Sequence, residues 1–148
     1  MNFTVSDVII ESEIIKSFLL TPERPLERNF VPGEYMLFEA YLDEGEPVRR
    51  EYSISGVRNG DVRITIKREV APEQDLPHGV MSTRFHDVLK KGDIVRAAGP
   101  MGAFKLDRSS DRPVVLLSGG VGLTPVVAMA DDLAGTSRQT IFVHACEN

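Results

Sequence analysis

The chain has 148 residues, of which 42% are hydrophobic and 26% charged, so it suits one packed domain, or one domain plus part of another, rather than a disordered segment. Its net charge of -5 argues against a general nucleic-acid binder, which usually presents a basic face. The single cysteine, Cys146, excludes an internal disulfide, and no stretch offers the ~20 apolar residues of a membrane helix, so we expect a cytoplasmic protein without a membrane span.

The first part of the chain has the pattern of short strands joined by turns. Two β-rich runs, TVSDVII and EIIKSFLL, are separated by Glu11-Ser12, and EYMLFEAYL forms a third. Between them, the segment TPERPLERNFVPG is punctuated by proline and glycine and reads as a loop, as does the polar Asp43–Pro47. The β-rich composition of these runs predicts strands.

The next two strands form a predicted hairpin. YSISGV and DVRITIK flank Asn59-Gly60, a pair in which both residues tolerate positive φ. In DVRITIK, Val62, Ile64 and Ile66 alternate with polar residues, which predicts one buried and one exposed face.

A short helix follows the polar loop APEQDLPHG. Ser82 is its predicted N-cap, Phe85, Val88 and Leu89 form its apolar stripe, and Gly92 ends it. DIVRAAG is a further strand. Residues 1–106 are therefore expected to form a small antiparallel barrel of about six strands with one short helix.

The pattern changes after Pro113. VVLLS is a continuous apolar run of the kind found in buried parallel strands, and it leads into the glycine-rich SGGVG. Thr124 is the predicted N-cap of the next helix, with Pro125 at its first position, and this helix stops at Gly135. QTIFVHA completes one βαβ unit. We expect a boundary between residues 1–108 and 109–148, and an incomplete second domain, because two parallel strands and one helix cannot bury both faces of a sheet.

Three stretches carry candidate chemistry, and each also has an ordinary structural explanation. In HGVMSTRFH, Gly79 and Ser82 stand at a helix start, where free N–H groups and the helix dipole favour an anion; a plain loop with a serine cap is the alternative. In SGGVGLTP, Gly119, Gly120 and Gly122 permit close approach of a diphosphate; a turn that needs glycine for packing is the alternative.

The third stretch is RREYSIS. Arg50 can hold a phosphate in bidentate fashion, and by strand alternation it shares a face with Tyr52, whose ring could cover a flat ring system. Ser53 lies on the other face unless the strand bends. A surface charge beside a half-buried tyrosine is the alternative. Taken together, the three stretches indicate a dinucleotide that carries a ring and a second ligand with phosphates.

RREYSIS resembles the Arg-x-Tyr-Ser motif of the ferredoxin–NADP reductase superfamily. The likeness is closest to the reductase part of flavohaemoglobins and to oxygenase reductases, and it extends over almost the whole chain. It rests on motifs in the family's order: PGEY (Pro32–Tyr35), IKRE (Ile66–Glu69), GVMS (Gly79–Ser82), GPMGAF (Gly99–Phe104) and GGVGLTP (Gly119–Pro125).

The resemblance implies an antiparallel FAD-binding barrel followed by the first βαβ unit of an α/β nucleotide-binding domain. It implies that Arg50 binds the FAD pyrophosphate, that Tyr52 packs on the isoalloxazine and that Ser53 lies near the flavin N5, where hydride arrives. The remaining implied site residues are Tyr35 beside the flavin, Lys67 and Glu69 through their backbone, the pyrophosphate-binding Gly79, Val80, Met81 and Ser82, and the NAD(P)H-binding Gly119, Gly120, Gly122, Thr124 and Pro125.

The implied function is that of an FAD-dependent oxidoreductase. NAD(P)H would give hydride to FAD, and electrons would then pass to a redox protein or domain that carries haem or an iron–sulfur cluster. The alternative is a flavin-binding electron-transfer module without NAD(P)H activity of its own. No metal site is expected, because the histidines, His78, His86 and His144, lack ligand spacing and are structural or solvent-facing. Cys146 is expected to be a buried small residue.

Overall fold

In the computed structural model, residues 1–41, 46–69 and 79–146 are described. Six strands occupy the first part of the chain: β1 (Asn2–Ile10), β2 (Ile15–Pro22), β3 (Tyr35–Ala40), β4 (Val48–Arg58), β5 (Asp61–Lys67) and β6 (Ile94–Met101). They close into a barrel in the order β1-β2-β5-β4-β3-β6, with every neighbouring pair antiparallel. The predicted antiparallel barrel is therefore confirmed. His78, most of the loop APEQDLPHG and residues 43–45 lie outside the described residues.

The turn between β4 and β5 has the predicted hairpin conformation. Asn59 and Gly60 have φ angles of 53° and 89°, the left-handed values that a tight hairpin requires and that asparagine and glycine tolerate best. In β5 the burial alternates residue by residue, with Val62, Ile64 and Ile66 in the core. The alternation read from the sequence is confirmed.

One end of the barrel is closed by α1 (Val80–Asp87), which inserts Phe85 among the core side chains. The Phe85 ring meets Phe18 edge-on at 5.1 Å and Phe38 at 5.4 Å. Such edge-to-face pairs add about 0.5–1.5 kcal/mol each beyond the burial of their area. The helix is thus anchored by aromatic contacts, which fixes the position of its first turn.

The cap, the stripe and the end predicted for α1 are each wrong in part: the helix ends at Asp87, with Val88 as its C-cap, and not at Gly92. The N-cap is Gly79, and Ser82 is instead the third helical residue, with its hydroxyl donating to the Gly79 carbonyl oxygen at 2.8 Å. Val88 is exposed, whereas His86 is buried and its Nε2 lies 2.9 Å from the carbonyl oxygen of Ile66. The helix starts three residues earlier than predicted because packing of Met81 in the core, not a side-chain cap, sets its beginning.

The second part of the chain is a βαβ unit, as predicted. The strands β7 (Val114–Gly119) and β8 (Thr140–Ala145) are parallel, and α2 (Leu123–Leu133) connects them. A 3-10 turn at Gly120–Gly122 precedes the helix, so Gly122 is the N-cap and the prediction of Thr124 there is wrong. Pro125 is the third helical residue, not the first; its missing N–H is harmless because first-turn N–H groups have no intrahelical partner.

The β7–β8 sheet has one covered and one open face among the described residues. Leu116 faces α2 and is 5% exposed, whereas Val115 and Leu117 on the other face are 55% and 67% exposed. The apolar run of β7 is therefore not the fully buried strand that the sequence predicts, although the expectation that one helix cannot cover both faces holds. Cys146 follows β8 and is exposed, so its predicted burial is wrong.

The βαβ unit packs against the barrel through α2 and β4. A methyl group on Gly33, which has a φ of 104°, would stand 2.0 Å from the Phe104 carbonyl oxygen and 2.6 Å from Met129 Cε of α2, so glycine is required at this junction. The Leu106 N–H also donates to the Pro32 carbonyl oxygen at 3.0 Å. The boundary between residues 108 and 109 stays a prediction.

In the part of the chain that is described, every helix is too short or too polar to cross a membrane.

Candidate functional site

A cleft of about 270 Å³ opens between the barrel wall, the start of α1 and the turn before α2. We call it the Tyr52 cleft. Seven of the predicted site residues line it together, and their segments are separated in sequence. The lining comprises Arg50, Glu51, Tyr52, Ile66, Lys67, Glu69, Gly79, Met81, Ser82 and Val121. The barrel and the βαβ unit therefore contribute to one cleft.

Tyr52 forms an aromatic wall of this cleft. Its ring lies 5.8 Å from Phe38 and 5.5 Å from Phe85, tilted or edge-on to each, so the core holds its orientation. Burial raises the pKa of the Tyr52 phenol to about 12; Arg50 acts against this rise and Glu69 adds to it. The side chain is therefore a neutral, fixed, flat surface throughout the physiological pH range.

Arg50 stands two residues before Tyr52 on the same face of β4, as the alternation predicts. Its side chain is exposed and donates from Nη1 to the Arg49 carbonyl oxygen at 2.7 Å. Within residues 1–41, 46–69 and 79–146 it has no carboxylate partner at salt-bridge distance, so its remaining donors are available to an anion.

The first turn of α1 faces the same cleft and carries no acidic residue. Its N–H groups and the positive end of the helix dipole therefore add to the charge of Arg50. A Cβ on Gly79 would stand 2.7 Å from Glu69 Cβ and 2.8 Å from Ser82 Oγ, so only glycine lets the chain pass here. The Ser82 hydroxyl also accepts from the Glu69 N–H at 3.1 Å and is thus used within the protein. The anion site at this turn consists mainly of backbone groups.

Lys67 and Glu69 border the cleft on the side of β5. The Glu69 backbone connects the segment after β5 to the N-cap of α1, because the Glu69 carbonyl oxygen accepts from the Gly79 N–H at 2.9 Å. This connection holds the segment after β5 against the start of the helix. That Lys67 and Glu69 contact a cofactor through their backbone stays a prediction.

Tyr35 and Ser53 lie next to the cleft but do not line it. They are directly opposite each other in the β3–β4 register. Burial and the nearby Glu51 carboxylate raise the pKa of Tyr35. Its ring also lies against Gly102, where a Cβ would come within 3.1 Å of two ring carbons. Val80, although at the helix start, is exposed and outside the lining as well.

The glycine-rich turn meets the Tyr52 cleft through Val121. The other predicted residues of this turn, Gly119, Gly120, Gly122, Thr124 and Pro125, lie outside the lining. A Cβ on Gly120 or Gly122 would meet no atom within 4 Å, so close packing does not explain the glycine at either position. The turn stands at the carboxyl end of the parallel strands, the edge where α/β sheets bind ligands. Its backbone is thus open to a ligand.

The sequence analysis missed a buried ion cluster beside Tyr35. The Glu34 side chain is fully buried and accepts from Arg28 at 2.7 and 2.9 Å, from the Val31 N–H at 2.8 Å and from Lys105 at 2.9 Å. The Arg28 hydrogen bond is the main cause that lowers the pKa of Glu34 to about 2. Ile66 and Val121 were missed as lining residues too, because each reads as an ordinary apolar residue. The only signal in the sequence that could have revealed the ion cluster is the charged residue Glu34 directly before a strand.

The described residues hold no group of three or more metal-ligating side chains. His144 of β8 is exposed and its Nδ1 lies 2.9 Å from the Ser118 hydroxyl of β7. With His86 bonded in the core, both described histidines have the structural or surface positions that were predicted.

Comparison with known proteins identifies relatives over the whole chain. Residues 2–106 match the family described as oxidoreductase FAD-binding domain. The chain is 37% identical to a flavohemoprotein of Halalkalibacterium halodurans over 99% of its own length and 37% of the relative, and 41% identical to one of Bordetella pertussis over 92% and 34%. It thus spans about a third of the length of these relatives.

A solved structure shows the same architecture. The flavohem-like FAD/NAD binding domain of the nitric oxide dioxygenase from Vibrio cholerae superposes with a TM-score of 0.84 and 33% identity, over 99% of this chain and 62% of that one. The similarity covers both the barrel and the βαβ unit.

Proposed function

Since the chain belongs to the family of oxidoreductase FAD-binding domains, within the ferredoxin–NADP reductase superfamily, we propose that it holds FAD and carries electrons from NAD(P)H to a redox partner. The observation that supports this most directly is the convergence of Arg50, Tyr52 and the first turn of α1 on one cleft. A basic group, a flat neutral ring and free backbone N–H groups are the features that a flavin dinucleotide requires.

The residues present fit FAD. Arg50 has donors left for a diphosphate, and the first turn of α1, which carries no acidic residue, adds N–H groups. Gly79 removes the side chain that would otherwise stand between these groups. The neutral Tyr52 ring offers a surface on which an isoalloxazine can stack.

Bound FAD would supply the hydride and electron chemistry, and the protein residues bind and orient it. Arg50 and the backbone of Gly79, Val80, Met81 and Ser82 neutralise the diphosphate. Tyr52 covers the ring system and excludes water from that side. Tyr35, Lys67 and Glu69 shape the edges of the site. Ser53, opposite Tyr35 in the sheet, is the residue we assign to the neighbourhood of the reacting flavin nitrogen.

NAD(P)H is the proposed electron donor. The turn Gly119–Gly122 lies at the carboxyl edge of the parallel sheet, and Val121 extends from it into the Tyr52 cleft. A nicotinamide dinucleotide held by this turn would have its ring near the flavin. Gly120 and Gly122 leave room for its phosphates, while Thr124 and Pro125 define the start of α2 behind them.

The proposed acceptor is a protein or domain that carries haem or an iron–sulfur cluster. Two relatives at 37% and 41% identity are flavohemoproteins, which favours haem. A cytoplasmic location belongs to the same proposal, because a chain with one exposed cysteine suits a reducing compartment.

An absorbance spectrum tests the FAD assignment. Purified chain is incubated with FAD, desalted and scanned; flavin bands retained in stoichiometric amount are expected. NADH or NADPH is then added without oxygen, and bleaching of the flavin is the expected result. Protein that folds by circular dichroism and keeps no flavin would contradict the assignment.

The second candidate is an electron-transfer module without NAD(P)H activity of its own. The open face of the β7–β8 sheet favours it, since Val115 and Leu117 are more than half exposed. The same experiment separates the two. Retained flavin that stays yellow with either nucleotide and bleaches with dithionite would support this module.

A further inference from the structure

The residues that follow β6 form a connector, residues 102–106, which runs from the barrel into the βαβ unit. Its last residue, Leu106, is buried in one apolar cluster with Val126 and Met129 of α2. Because such a cluster is closely packed, a shift of Leu106 moves α2 and the glycine-rich turn before it. The place of the connector on the barrel therefore sets the place of that turn.

The connector is tied to the segment that precedes β3. The Leu106 N–H donates to the Pro32 carbonyl oxygen, and the neighbouring Lys105 forms an ion pair of 2.9 Å with Glu34. Within residues 1–41, 46–69 and 79–146, this is the only ion pair between the connector and the barrel. A buried carboxylate attracts an ammonium more strongly than an exposed one, because less water screens the pair.

Glu34 is itself fixed in the barrel. Its side chain is fully buried, and its carbonyl oxygen accepts from the Ile54 N–H at 2.9 Å. Ile54 is a core residue of β4 and stands two positions after Tyr52. The Glu34 carboxylate is thus held against the strand that carries Tyr52, and it anchors the Lys105 ammonium there.

Arg28 binds the same carboxylate from the barrel side. It donates to Glu34 at 2.7 and 2.9 Å, and its further hydrogen bonds go to the carbonyl oxygens of Asn29 and of Pro100 in β6. Two cations therefore share Glu34, but only Lys105 belongs to the connector. Replacing one or the other separates the stability of the buried charge from the position of the βαβ unit.

We propose that Glu34 and Lys105 are positioning residues, whose ion pair holds the glycine-rich turn at the Tyr52 cleft. This rests on the proposed function, because the turn is assigned to NAD(P)H and the cleft to the flavin. Neither residue lines the cleft, so the pair acts through position alone. Displacing one reactant by about 1 Å can lower a rate constant about a hundredfold, which makes the reaction sensitive to this contact.

Anaerobic stopped-flow absorbance on the FAD-loaded full chain tests the proposal, with NADH and NADPH as donors. Lys105 is 41% exposed, so Lys105→Gln leaves the core packed. This variant is expected to lower the limiting rate constant of flavin reduction about tenfold or more, with FAD affinity within about twofold of wild type. Lys105→Arg keeps the charge and should recover most of the rate constant.

Arg28→Gln is the matched control. It takes the main hydrogen-bond partner from the buried Glu34 carboxylate, so it should lower the urea midpoint more than Lys105→Gln does. Its limiting rate constant should nevertheless stay within about twofold of wild type, because the connector keeps its ion pair.

Amide hydrogen exchange of the same chains, measured without nucleotide, tests the position of the turn independently of the chemistry. Peptides that cover residues 119–133 should exchange faster in Lys105→Gln than in wild type, and barrel peptides should exchange equally. Arg28→Gln should not show this pattern.

Two results would overturn the proposal. Unchanged exchange at the glycine-rich turn in Lys105→Gln would show that the ion pair does not hold it, and equal losses of rate constant in Lys105→Gln and Arg28→Gln would assign the effect to stability. Failure of the proposed function has a different signature, because wild type would then retain no FAD, or its FAD would stay oxidised with either nucleotide. The exchange comparison decides the role of the ion pair in that case too.

Discussion

Arg49 and Arg50 are neighbours in β4, yet their guanidinium groups have different partners. Arg49 Nη2 lies 2.8 Å from the Glu39 carboxylate, whereas Arg50 bonds to the backbone carbonyl of Arg49. Because the side chains of adjacent strand residues point to opposite faces, one arginine is neutralised and the other is directed to the Tyr52 cleft. Arg50→Ala and Arg49→Ala are therefore a test variant and its matched control.

Arg50→Ala is expected to weaken FAD binding by about 1.5–3 kcal/mol, the value of a charge-assisted hydrogen bond. Arg49→Ala is the control and should leave FAD affinity within about twofold of wild type, because Arg49 does not line the Tyr52 cleft and its exposed salt bridge with Glu39 contributes only ~0–1 kcal/mol to stability. Titration calorimetry on both variants measures the difference. Equal losses of FAD affinity in the two variants would contradict the assignment of Arg50 to the FAD diphosphate.

Gly79 and Gly122 should respond differently to alanine. In Gly79→Ala the new methyl collides with Glu69 Cβ and Ser82 Oγ, so we expect destabilisation of about 1–3 kcal/mol and loss of FAD. Gly122→Ala meets no atom within 4 Å, so we expect only the cost of alanine in place of glycine at an N-cap, about 0.5–1 kcal/mol in the free energy of unfolding. Urea denaturation measures both. A stable Gly79→Ala chain that binds FAD would contradict the proposed approach of the diphosphate.

Two substitutions of Tyr52 separate the contribution of its ring from that of its hydroxyl. Tyr52→Ala removes the ring contacts with Phe38 and Phe85, and we expect a loss of about 2–4 kcal/mol in stability together with weaker FAD binding. Tyr52→Phe keeps the ring and should keep most of both. Because the pKa of Tyr52 is raised to about 12, FAD binding should show no titration of this group below pH 10. An FAD affinity that Tyr52→Phe lowers as much as Tyr52→Ala would assign the binding to the hydroxyl.

Glu34 should make the stability of the barrel sensitive to acid. Its carboxyl pKa is about 2 in the folded chain and about 4.5 when unpaired, so its contribution is fully present above pH 4.5 and is lost as the pH falls toward 2. The size is at most about 3 kcal/mol. Urea midpoints of wild type and Glu34→Gln should therefore differ at pH 6 and converge toward pH 2.5. A difference that stays constant over this range would show that the charge of Glu34 does not stabilise the fold.

Local patterns in the sequence were sufficient to predict the secondary structure and the fold class. The Asn59-Gly60 hairpin depends on two residues that accept positive φ, and the alternation of Val62, Ile64 and Ile66 depends on the two-residue period of a strand. The βαβ unit follows from an apolar run, a glycine-rich turn and a helical segment in that order. All of these are set by neighbours in the chain.

The tertiary structure alone decided the helix starts, the pairing of charges and the outline of the site. Ser82 and Thr124 have the chemistry of N-caps, but the N-caps are Gly79 and Gly122, and the helices begin at Val80 and Leu123. The alternation of the strand already placed Arg50 on the face of Tyr52, but only the structure shows that Glu39 on the next strand pairs with Arg49.

The same holds for the residues that complete the cleft. Val121 reaches the Tyr52 cleft only because α2 packs on β4, and Glu34 is ionised in the interior only because Arg28 and Lys105 come to it from separate segments. The sequence by itself determined the strands, the turns and the types of residue that can bind a dinucleotide. Which of those residues share one cleft was decided by contacts between distant segments, which no local period encodes.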